Sequence, residues 1–493
     1  MSNPVDRAFA FPYRPDIDGL RALAVLGVVI FHVNPAILPG GFFGVDIFFV
    51  ISGYLISSFI LHELADGTFS FTHFYARRIR RLFPALITVL LAVLIFGVFA
   101  LYADEYRQLA RHAYASIAFL ENFRLMDEAG YFDAASYTKP LMHLWSLSIE
   151  EQFYLVCPLL LLLAWKWGKR LSINLVVVLL LCLLIASFLF TLDSGLDETN
   201  LFFHPLARIW ELLAGVGLAC WHGKRGHALS SSGIHGRHLP ARLWSLLSLT
   251  GLGAMLACFG LWRTDLVHPG WITPIPVLGA VALLASPASA PGNRLLALKT
   301  PVWIGLISYP LYLWHWPILS FLRIMESSSP SSTILWAGAL FSIGLAALTW
   351  RFIELPIRGL STGQYKIKSR VPGLCGSMVC LFIIAYGMFV LEKRLTFLPV
   401  QPVQSALDET RDFPIRDASC LEKFPLAQTL QYCRLEDTGA SLVAVIGDSH
   451  ALAPFAGIAR LARKYGYGAL LLASHACLFH LGRVHTTAEV WYA

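Results

Sequence analysis

The apolar stretch LRALAVLGVVIFH carries two polar side chains, Arg21 near its start and His32 at its end, eleven residues apart. In a helix this spacing returns to within about 20° of its origin, so both side chains share a face, with the imidazole ~16 Å further along the axis. Polar groups inside a membrane segment are costly and usually indicate a function. We therefore predict a cation at one membrane surface and, at mid-depth, a histidine able to accept a proton from an attacking hydroxyl.

The composition indicates a membrane protein. The chain of 493 residues is 56% hydrophobic and 14% charged, with a mean hydropathy of +0.62, whereas soluble domains have about 25% charged residues. A net charge of +7 does not indicate nucleic-acid binding here, because no basic repeat or aromatic-basic motif accompanies it. We attribute the charge to membrane topology, and we find no cysteine or histidine spacing that predicts a metal site.

The apolar runs predict eleven membrane spans, near residues 20–38, 42–62, 82–102, 144–164, 173–191, 204–221, 243–262, 273–289, 301–322, 332–350 and 372–391. If the N-terminus is cytoplasmic, the inner segments carry 21 Lys and Arg and the outer loops between spans carry 6. This asymmetry is the positive-inside pattern. It predicts a cytoplasmic N-terminus and export of everything after about residue 392.

An arginine cluster precedes the third span, in HFYARRIRRLFPAL. Its members are Arg77, Arg78, Arg80 and Arg81. Residues three or four apart lie on one face of a helix, so pairs of these side chains could clamp phosphates. The alternative is a topology signal with no role in binding.

The start of the fourth span, HLWSLSIEEQFYLVCPLL, places His143, Ser146 and Glu150 on one stripe of a helix, with Glu151 beside it. Two carboxylates in a segment that otherwise reads as lipid-buried suggest a polar cavity or a basic partner. Helix capping at the outer interface would explain His143 and Ser146 without a function, and explains Glu150 less easily.

Other spans add four further polar residues. Arg208 and Glu211 lie three residues apart in FHPLARIWELLAG and could form an internal ion pair or contact substrate. His315 lies between two tryptophans in SYPLYLWHWPIL and could belong to an aromatic belt or to a site. Asp46 in the second span could have a function or could be only an interfacial carboxylate or a helix cap.

Together these groups would suit a polyanionic donor that enters from the cytoplasmic side. Coenzyme A is such a donor, because its phosphates would bind arginines and its extended arm would cover a distance comparable to the ~16 Å between Arg21 and His32. The thioester would then meet the imidazole. We expect no permanently bound cofactor, with acetyl-CoA as a co-substrate.

The motifs resemble the acyltransferase-3 family of integral membrane acyltransferases, in the form fused to an SGNH domain, as in bacterial O-antigen and peptidoglycan O-acetyltransferases. The resemblance rests on YRPDIDGLRALAVLGVVIFH, GGFFGVDIFFVISGYLI, FYARRIRRLFPAL, HLWSLSIEEQFY, HPLARIWELLAG and ISYPLYLWHWP. The family's arginine, ten intervening residues and histidine match Arg21 and His32, and its arginine pair matches the cluster from Arg77 to Arg81 in either of two registers.

The resemblance implies a membrane-bound O-acyltransferase of the bacterial cytoplasmic membrane. It would transfer an acyl group, usually acetyl from cytoplasmic acetyl-CoA and not an aminoacyl group, to a hydroxyl of a cell-surface glycan such as lipopolysaccharide O-antigen, or of a lipid-linked glycan. The expected partners are acyl-CoA, this acceptor and membrane lipid, without nucleic acid. We predict catalytic roles for His32, Glu150 and Ser449, and substrate-binding roles for Arg21, Arg77, Arg78, Arg80, Arg81, His143, Glu151, Arg208, Glu211 and His315.

The exported part contains LVAVIGDSHALAPFAGIARLARKYGYGALLLAS, which predicts a buried strand, a tight turn, an amphipathic helix and a second strand. The segment resembles the first block of an SGNH domain, with Ser449 as nucleophile at a helix N-terminus. The alternative is that Asp448 and Ser449 are helix caps. Because the chain stops at Ala493 before an Asp-x-x-His block, we expect a truncated domain with an inactive Ser449. We also expect Cys420 and Cys433 to form a disulfide.

The predicted fold is an α-helical polytopic membrane protein, with a bundle of about ten helices and one linking span, followed by an incomplete α/β SGNH-type domain. The predicted divisions are the membrane domain at 13–360, a basic loop and linking helix at 361–392, a periplasmic linker at 393–440 and the SGNH fragment at 441–493. Two other functions compete with acyl transfer: a transporter of a lipid-linked sugar, and a stand-alone outer esterase tethered by the spans.

Overall fold

Helices make up nearly all of the described chain as far as Val390. In the computed structural model they are α1 (Pro15–Val33), α2 (Gly44–Ala65), α3 (Phe71–Ala100), α4 (Ala103–Ile117), α5 (Glu121–Glu128), α6 (Leu144–Gly168), α7 (Ile173–Leu192), α8 (Glu198–Phe203), α9 (Pro205–Ser231), α10 (Ala241–Leu261), α11 (Pro274–Ala285), α12 (Pro291–Leu296), α13 (Lys299–Leu306), α14 (Ser308–Met325), α15 (Ser332–Leu348), α16 (Leu355–Gly359) and α17 (Gln364–Val390). The structure describes residues 13–128, 136–168, 173–231, 240–261, 267–326, 330–359, 364–390, 417–425, 432–436, 441–447 and 452–473.

The prediction of a polytopic membrane protein is confirmed. Among the described residues, seven helical segments are long and apolar enough to cross a membrane: Gly41–Ala65, Phe71–Ala100, Leu144–Lys166, Glu198–His222, Ala241–Leu261, Ser332–Ile357 and Arg370–Val390. Val178–Leu192 and Pro274–Ala285 are shorter apolar helices. A helix lies at each of the eleven predicted spans, although seven of them meet the criteria of length and hydropathy.

Two of the predicted span boundaries are wrong. The first helix ends at Val33 and not near residue 38, because Asn34 adopts an extended backbone before Pro35, and proline disfavours a helical conformation in the residue before it. The predicted ninth span is two helices, α13 and α14, which meet at Ile307.

Glycine brings helices α2 and α9 into backbone contact. A Cβ on Gly215 of α9 would collide with the carbonyl oxygen of Val50, and a Cβ on Gly53 of α2 would collide with that of Leu212. Small residues at such crossings allow the close packing that stabilises helix pairs in membranes. This contact fixes the two helices that carry Asp46 and Arg208.

The C-terminal unit, residues 399–493, has a small mixed sheet in the order β1-β3-β2. Its described elements are α18 (Ala418–Lys423), β1 (Tyr432–Glu436), β2 (Leu442–Gly447), α19 (Leu452–Lys464) and β3 (Gly468–Ala473). The pair β2 and β3 is parallel with α19 between them, so the predicted order of strand, helix and strand is confirmed. The prediction that the first strand is buried is wrong, because β2 lies at an edge of the sheet and most of its residues are exposed. The predicted turn after it, residues 448–451, lies outside the described residues. Helix α18 and strand β1, which pairs antiparallel with β3, lie in the segment assigned from sequence to the linker.

A disulfide joins Cys420 of α18 to Cys433 of β1, as predicted. Both cysteines are fully buried, with Leu435 and Leu470 in the same apolar cluster. The crosslink therefore ties the short helix to the edge of the sheet.

Replacement of Gly215 by alanine should destabilise the helical unit, because the new methyl group meets backbone at the α2–α9 crossing. We expect a loss of about 1–3 kcal/mol, the usual cost of overpacking. Gly217→Ala on the same helix is the matched control, since nothing lies within 4 Å of a Cβ there. Thermal stability of the detergent-purified chain measures both. Equal midpoints for the two variants would contradict the packing argument.

Candidate active site

His32 and His315 form a hydrogen bond between helices α1 and α14. The distance between His32 Nδ1 and His315 Nε2 is 3.0 Å, and the two rings stack with their centroids 5.2 Å apart. Trp316 packs its ring edge-to-face with His32 at 4.5 Å. Arg323 donates a hydrogen bond to the carbonyl oxygen of His32. The sequence placed these two histidines on separate spans, and the fold brings them into contact.

Backbone carbonyls determine which proton each of these imidazoles carries. His315 Nδ1 lies 2.7 Å from the carbonyl oxygen of Tyr312 and 3.2 Å from that of Leu311. A carbonyl oxygen can accept but not donate, so in the neutral ring Nδ1 carries the hydrogen and Nε2 is an acceptor. His32 must then donate through Nδ1. In this arrangement the Nε2 lone pair of His32 is left for proton transfer.

A cavity of about 320 Å³ lies beside this pair. Its polar wall is formed by His32, His143, Glu198, Arg208, His268 and Tyr312, and its aromatic wall includes Phe31, Phe42, Trp145 and Phe202. Most of these residues lie at helix ends next to the loops that the charge pattern places outside. Glu198 is exposed, so the cavity reaches the protein surface at the start of α8.

His143 is the second histidine of this wall and precedes α6. It is 2% exposed, and neither of its ring nitrogens has a hydrogen-bond partner within the described part of the chain. Its ring lies 5.8 Å from that of His315 and 5.4 Å from that of Tyr312, measured between centroids. A buried polar group without a partner is costly. The group therefore marks a position where a ligand could bind.

Arg208 lies at the cavity and bridges two helices. Its Nη1 is 2.8 Å from Asp46 Oδ1 on α2 and 3.2 Å from Glu211 Oε1 on α9, and all three side chains are at most 1% exposed. The predicted pair of Arg208 and Glu211 is thus present, with Asp46 as an added partner. His268 Nε2 lies 3.2 Å from the same Nη1. Burial, and then the charge of Arg208, hold the pKa of His268 well below its usual range, so its Nε2 accepts from the guanidinium.

The predicted stripe on α6 connects this cavity to the arginine cluster. Ser146 Oγ is 2.7 Å from the hydroxyl of Tyr312, and Ser52 donates to Glu150 Oε1 at 2.8 Å. One residue further along, Glu151 pairs with Arg78 at 3.4 Å. His143 and Glu150 are separated by ~10 Å along the helix axis. Glu150 does not line the cavity, so its predicted catalytic role remains a prediction.

The four arginines lie on α3, and the structure gives them different partners. Arg77 pairs with Glu63 at 3.0 Å, Arg78 pairs with Glu151 and lies 3.9 Å over the ring of Tyr154, and Arg80 Nε donates to the carbonyl oxygen of Ala76. Arg81 follows on the same helix. Arg78 is therefore the member of the cluster that continues the polar stripe of α6.

Arg21 and His32 share helix α1, as predicted, but Arg21 does not line the cavity that His32 borders. Its Nη1 lies 3.2 Å from Asp18 Oδ1, one turn earlier. A single channel along α1 was the expectation from spacing alone. The polar contacts observed between the two ends of the bundle run instead along α6.

A buried charge network outside the seven apolar helices supports the segment before α6. His112 lies 2.7 Å from Glu121 and 3.2 Å from Glu128, and Glu128 also pairs with Lys139 at 3.0 Å and Arg124 at 2.7 Å. The carbonyl oxygen of Lys139 accepts from the indole of Trp316. The network thus holds the segment that leads to His143 against the ring beside His32.

Sequence reasoning missed several of these residues, namely His112, Glu121, Glu128, Lys139, His268 and Tyr312. Tyr312 offered a signal, since it lies one helical turn before His315 in the same motif. His268 and Lys139 offered none, because each lies in a connection between helices, where no helical spacing relates it to its partners. Ser449, the predicted nucleophile of the C-terminal unit, lies outside the described residues.

Comparisons with known proteins agree with this architecture. The family model described as "Acyltransferase domain" matches residues 14–351. The chain belongs to this acyltransferase family. A second model, "SGNH domain (fused to AT3 domains)", matches residues 419–490. No solved structure matches the chain.

Three curated relatives illustrate the family. Peptidoglycan O-acetyltransferase OatA of Listeria monocytogenes is 34% identical over 76% of this chain and 63% of its own length. YrhL of Bacillus subtilis, provisionally named a peptidoglycan O-acetyltransferase, is 35% identical over 70% of this chain and 55% of its own. A provisionally named O-acetyltransferase of Staphylococcus aureus strain MRSA252 is 34% identical over 77% and 63%. The chain thus spans less than two thirds of the length of these relatives.

The His112 network predicts a pH-dependent stability. Burial acts to lower the pKa of His112, but the nearby Glu121 and Glu128 outweigh it and raise this pKa to about 9, from 6.5. The resulting stabilisation is fully present below pH 6.5 and is lost as the pH rises through 9, a change of about 3 kcal/mol.

Thermal unfolding of the detergent-purified chain between pH 6 and pH 10 measures this loss. His112→Gln should remove most of the pH dependence over this interval. His62→Gln, which alters a surface pair with Asp66, is the control and should retain it. A His112→Gln variant with the slope of the unsubstituted protein would contradict the assignment.

Proposed function

We propose that this chain transfers an acetyl group from cytoplasmic acetyl-CoA to a hydroxyl of a cell-surface glycan, with His32 as the general base. The observation that carries the proposal is the contact between His32 and His315, because backbone carbonyls fix its direction and leave the Nε2 lone pair to His32, a residue that lines the cavity. Membership of the acyltransferase family supports the reaction class. The N-terminus lies on the cytoplasmic side in this proposal, as the charge asymmetry favours.

The donor would bind at the arginine end of the bundle. Arg78 is the anchor for a phosphate, with Arg77, Arg80 and Arg81 nearby on α3 and Arg21 at the start of α1. Phosphate would take the place of Glu151 as the partner of Arg78, since guanidinium groups bind both anions in the same geometry. The extended arm would then follow the stripe of Glu150 and Ser146 to the histidines.

The chemistry at His32 is a proton transfer coupled to acyl transfer. The acceptor hydroxyl oxygen attacks the thioester carbonyl while its proton moves to His32 Nε2. The carbon–sulfur bond then breaks, and the departing thiolate takes that proton from His32, which restores the neutral imidazole. His315 acts as a positioning residue, because it holds the His32 tautomer with a free Nε2. General-base catalysis of this kind contributes about 10²–10⁴ to the rate.

The names of the relatives favour peptidoglycan over lipopolysaccharide O-antigen as the acceptor, since two of the three cited are named for peptidoglycan. The competing transporter hypothesis predicts glycan movement without acetyl transfer, so an assay of acetyl transfer distinguishes the two functions.

His32→Ala should abolish acetyl transfer, with a fall in kcat of about 10²–10⁴. His315→Gln should lower kcat less, and it should move the acidic limb of the kcat–pH profile because the tautomer of His32 is no longer fixed. The measurement is transfer of labelled acetyl from acetyl-CoA by the purified chain, with His62→Ala as a control at a distant histidine. Undiminished transfer by His32→Ala would rule out its role as base, and glycan export without transfer would favour the transporter.

Arg78→Gln should raise the KM for acetyl-CoA by about tenfold or more, since one charge-assisted contact to phosphate is lost. Arg78→Lys should lie between this variant and the unsubstituted protein, because lysine keeps the charge and loses the planar fork. Arg107→Gln, an exposed position on α4, controls for loss of positive charge. The proposal fails at this point if all three variants share the KM of the unsubstituted protein.

A further inference from the structure

The cavity beside His32 has two chemically different parts. One part is formed by His32, His143 and Tyr312, where the proposed proton transfer takes place. The other extends to Glu198 at the surface and is walled by Trp145 and Phe202. The proposed proton transfer does not involve this second part, which we call the outer lobe and define by Trp145, Glu198, Phe202, Arg208 and His268.

The outer lobe combines an aromatic wall with fixed polar groups. The rings of Trp145 and Phe202 have centroids 4.8 Å apart and are inclined at 54°. The guanidinium of Arg208 lies 4.9 Å from the ring of Phe202 and is held by Asp46. His268 is also fixed, with Nδ1 3.4 Å from the hydroxyl of Thr273. These groups are preorganised, so a ligand would not have to order them.

The polar floor adds hydrogen-bonding capacity that the protein does not use. His143 lines the cavity at 2% exposure with two ring nitrogens that find no partner among the described residues. In a neutral imidazole one of these nitrogens donates and the other accepts. A hydroxyl can satisfy both kinds of group, because it donates and accepts.

We infer that the outer lobe is the acceptor subsite and takes one uncharged sugar residue of the acceptor glycan. A sugar ring has apolar C–H faces, which suit Trp145 and Phe202, and a rim of hydroxyls, which suits the two ring nitrogens of His143. A volume of about 320 Å³ is at the lower end for ligand cavities and fits one ring rather than an oligosaccharide. A ring entering past Glu198 presents its leading hydroxyl to His32 Nε2.

This inference rests on the proposed function for its biological meaning, but glycan binding can be measured without any chemistry. The probe is the β-1,4-linked tetramer of N-acetylglucosamine, added to the full chain in lipid nanodiscs. Binding is followed by saturation-transfer NMR and by titration calorimetry. Labelled acetyl transfer from acetyl-CoA is assayed in parallel on the same preparations.

Phe202→Ala should weaken binding of the tetramer by about tenfold, the effect of losing one aromatic contact. Its main-chain carbonyl, which accepts from Arg208, is kept. Trp271→Ala is the matched control, because Trp271 is a 76% exposed aromatic residue in the loop beside His268 and does not line the cavity. It should bind within twofold of the unsubstituted protein. If Phe202→Ala is not monodisperse, Phe202→Leu, which preserves much of the volume, replaces it.

Measuring tetramer binding and acetyl transfer together tests the sugar subsite separately from the proposed reaction. Weakened binding in Phe202→Ala supports the subsite, whether or not acetyl is transferred. The same result without acetyl transfer in any preparation would overturn the proposed function and leave the subsite standing. Equal binding by Phe202→Ala and Trp271→Ala, or no binding of the tetramer by the unsubstituted protein, would overturn the subsite even if acetyl transfer is intact.

Discussion

The buried ion cluster of Arg208 holds one end of the helical unit together, because an unpaired guanidinium is too costly to bury in an apolar bundle. Arg208 is 1% exposed between the carboxylates of Asp46 and Glu211, and removal of one partner from a buried ion pair costs about 3–5 kcal/mol. Two of the three side chains lie on α9 and the third on α2, so the cluster constrains how these helices can pack. The glycine contacts at Gly53 and Gly215 satisfy this constraint, because they allow the backbones to approach until the side chains can meet.

The same constraint accounts for a polar cavity in an apolar bundle. Arg208 pairs with its two carboxylates, and His268 forms hydrogen bonds with Arg208 and Thr273. This part of the cavity wall is therefore rigid and carries fixed dipoles. The histidine pair is rigid for a different reason, since the carbonyl oxygen of Tyr312 fixes the ring of His315 and thereby that of His32. Preorganised groups of this kind need no reorganisation when charge develops in a transition state, and this is the main source of electrostatic catalysis.

The sequence predicted the helices well because hydropathy and helix length follow from composition within one segment. It predicted the pair of Arg208 and Glu211 and the stripe on α6 for the same reason, since both depend on spacing along one helix. It could not predict that His32 meets His315, which is 283 residues away, or that Lys139 meets Glu128 and Trp316. The prediction of one channel from Arg21 to His32 failed for a related reason. Helical spacing shows that two residues share a face, but it does not show what packs against that face.

The distance between the two ends of the bundle explains why the histidine lies where it does. In the proposed reaction coenzyme A remains bound to arginines at one end, while the acceptor enters past Glu198 at the other. Neither polar molecule then has to cross the apolar layer, and the thioester need reach no further than the cavity. A base at this depth must be neutral to accept a proton, and burial disfavours the charged form of an imidazole. The hydrogen bond from His32 to His315 supplies the remaining requirement, since it fixes which nitrogen receives the proton.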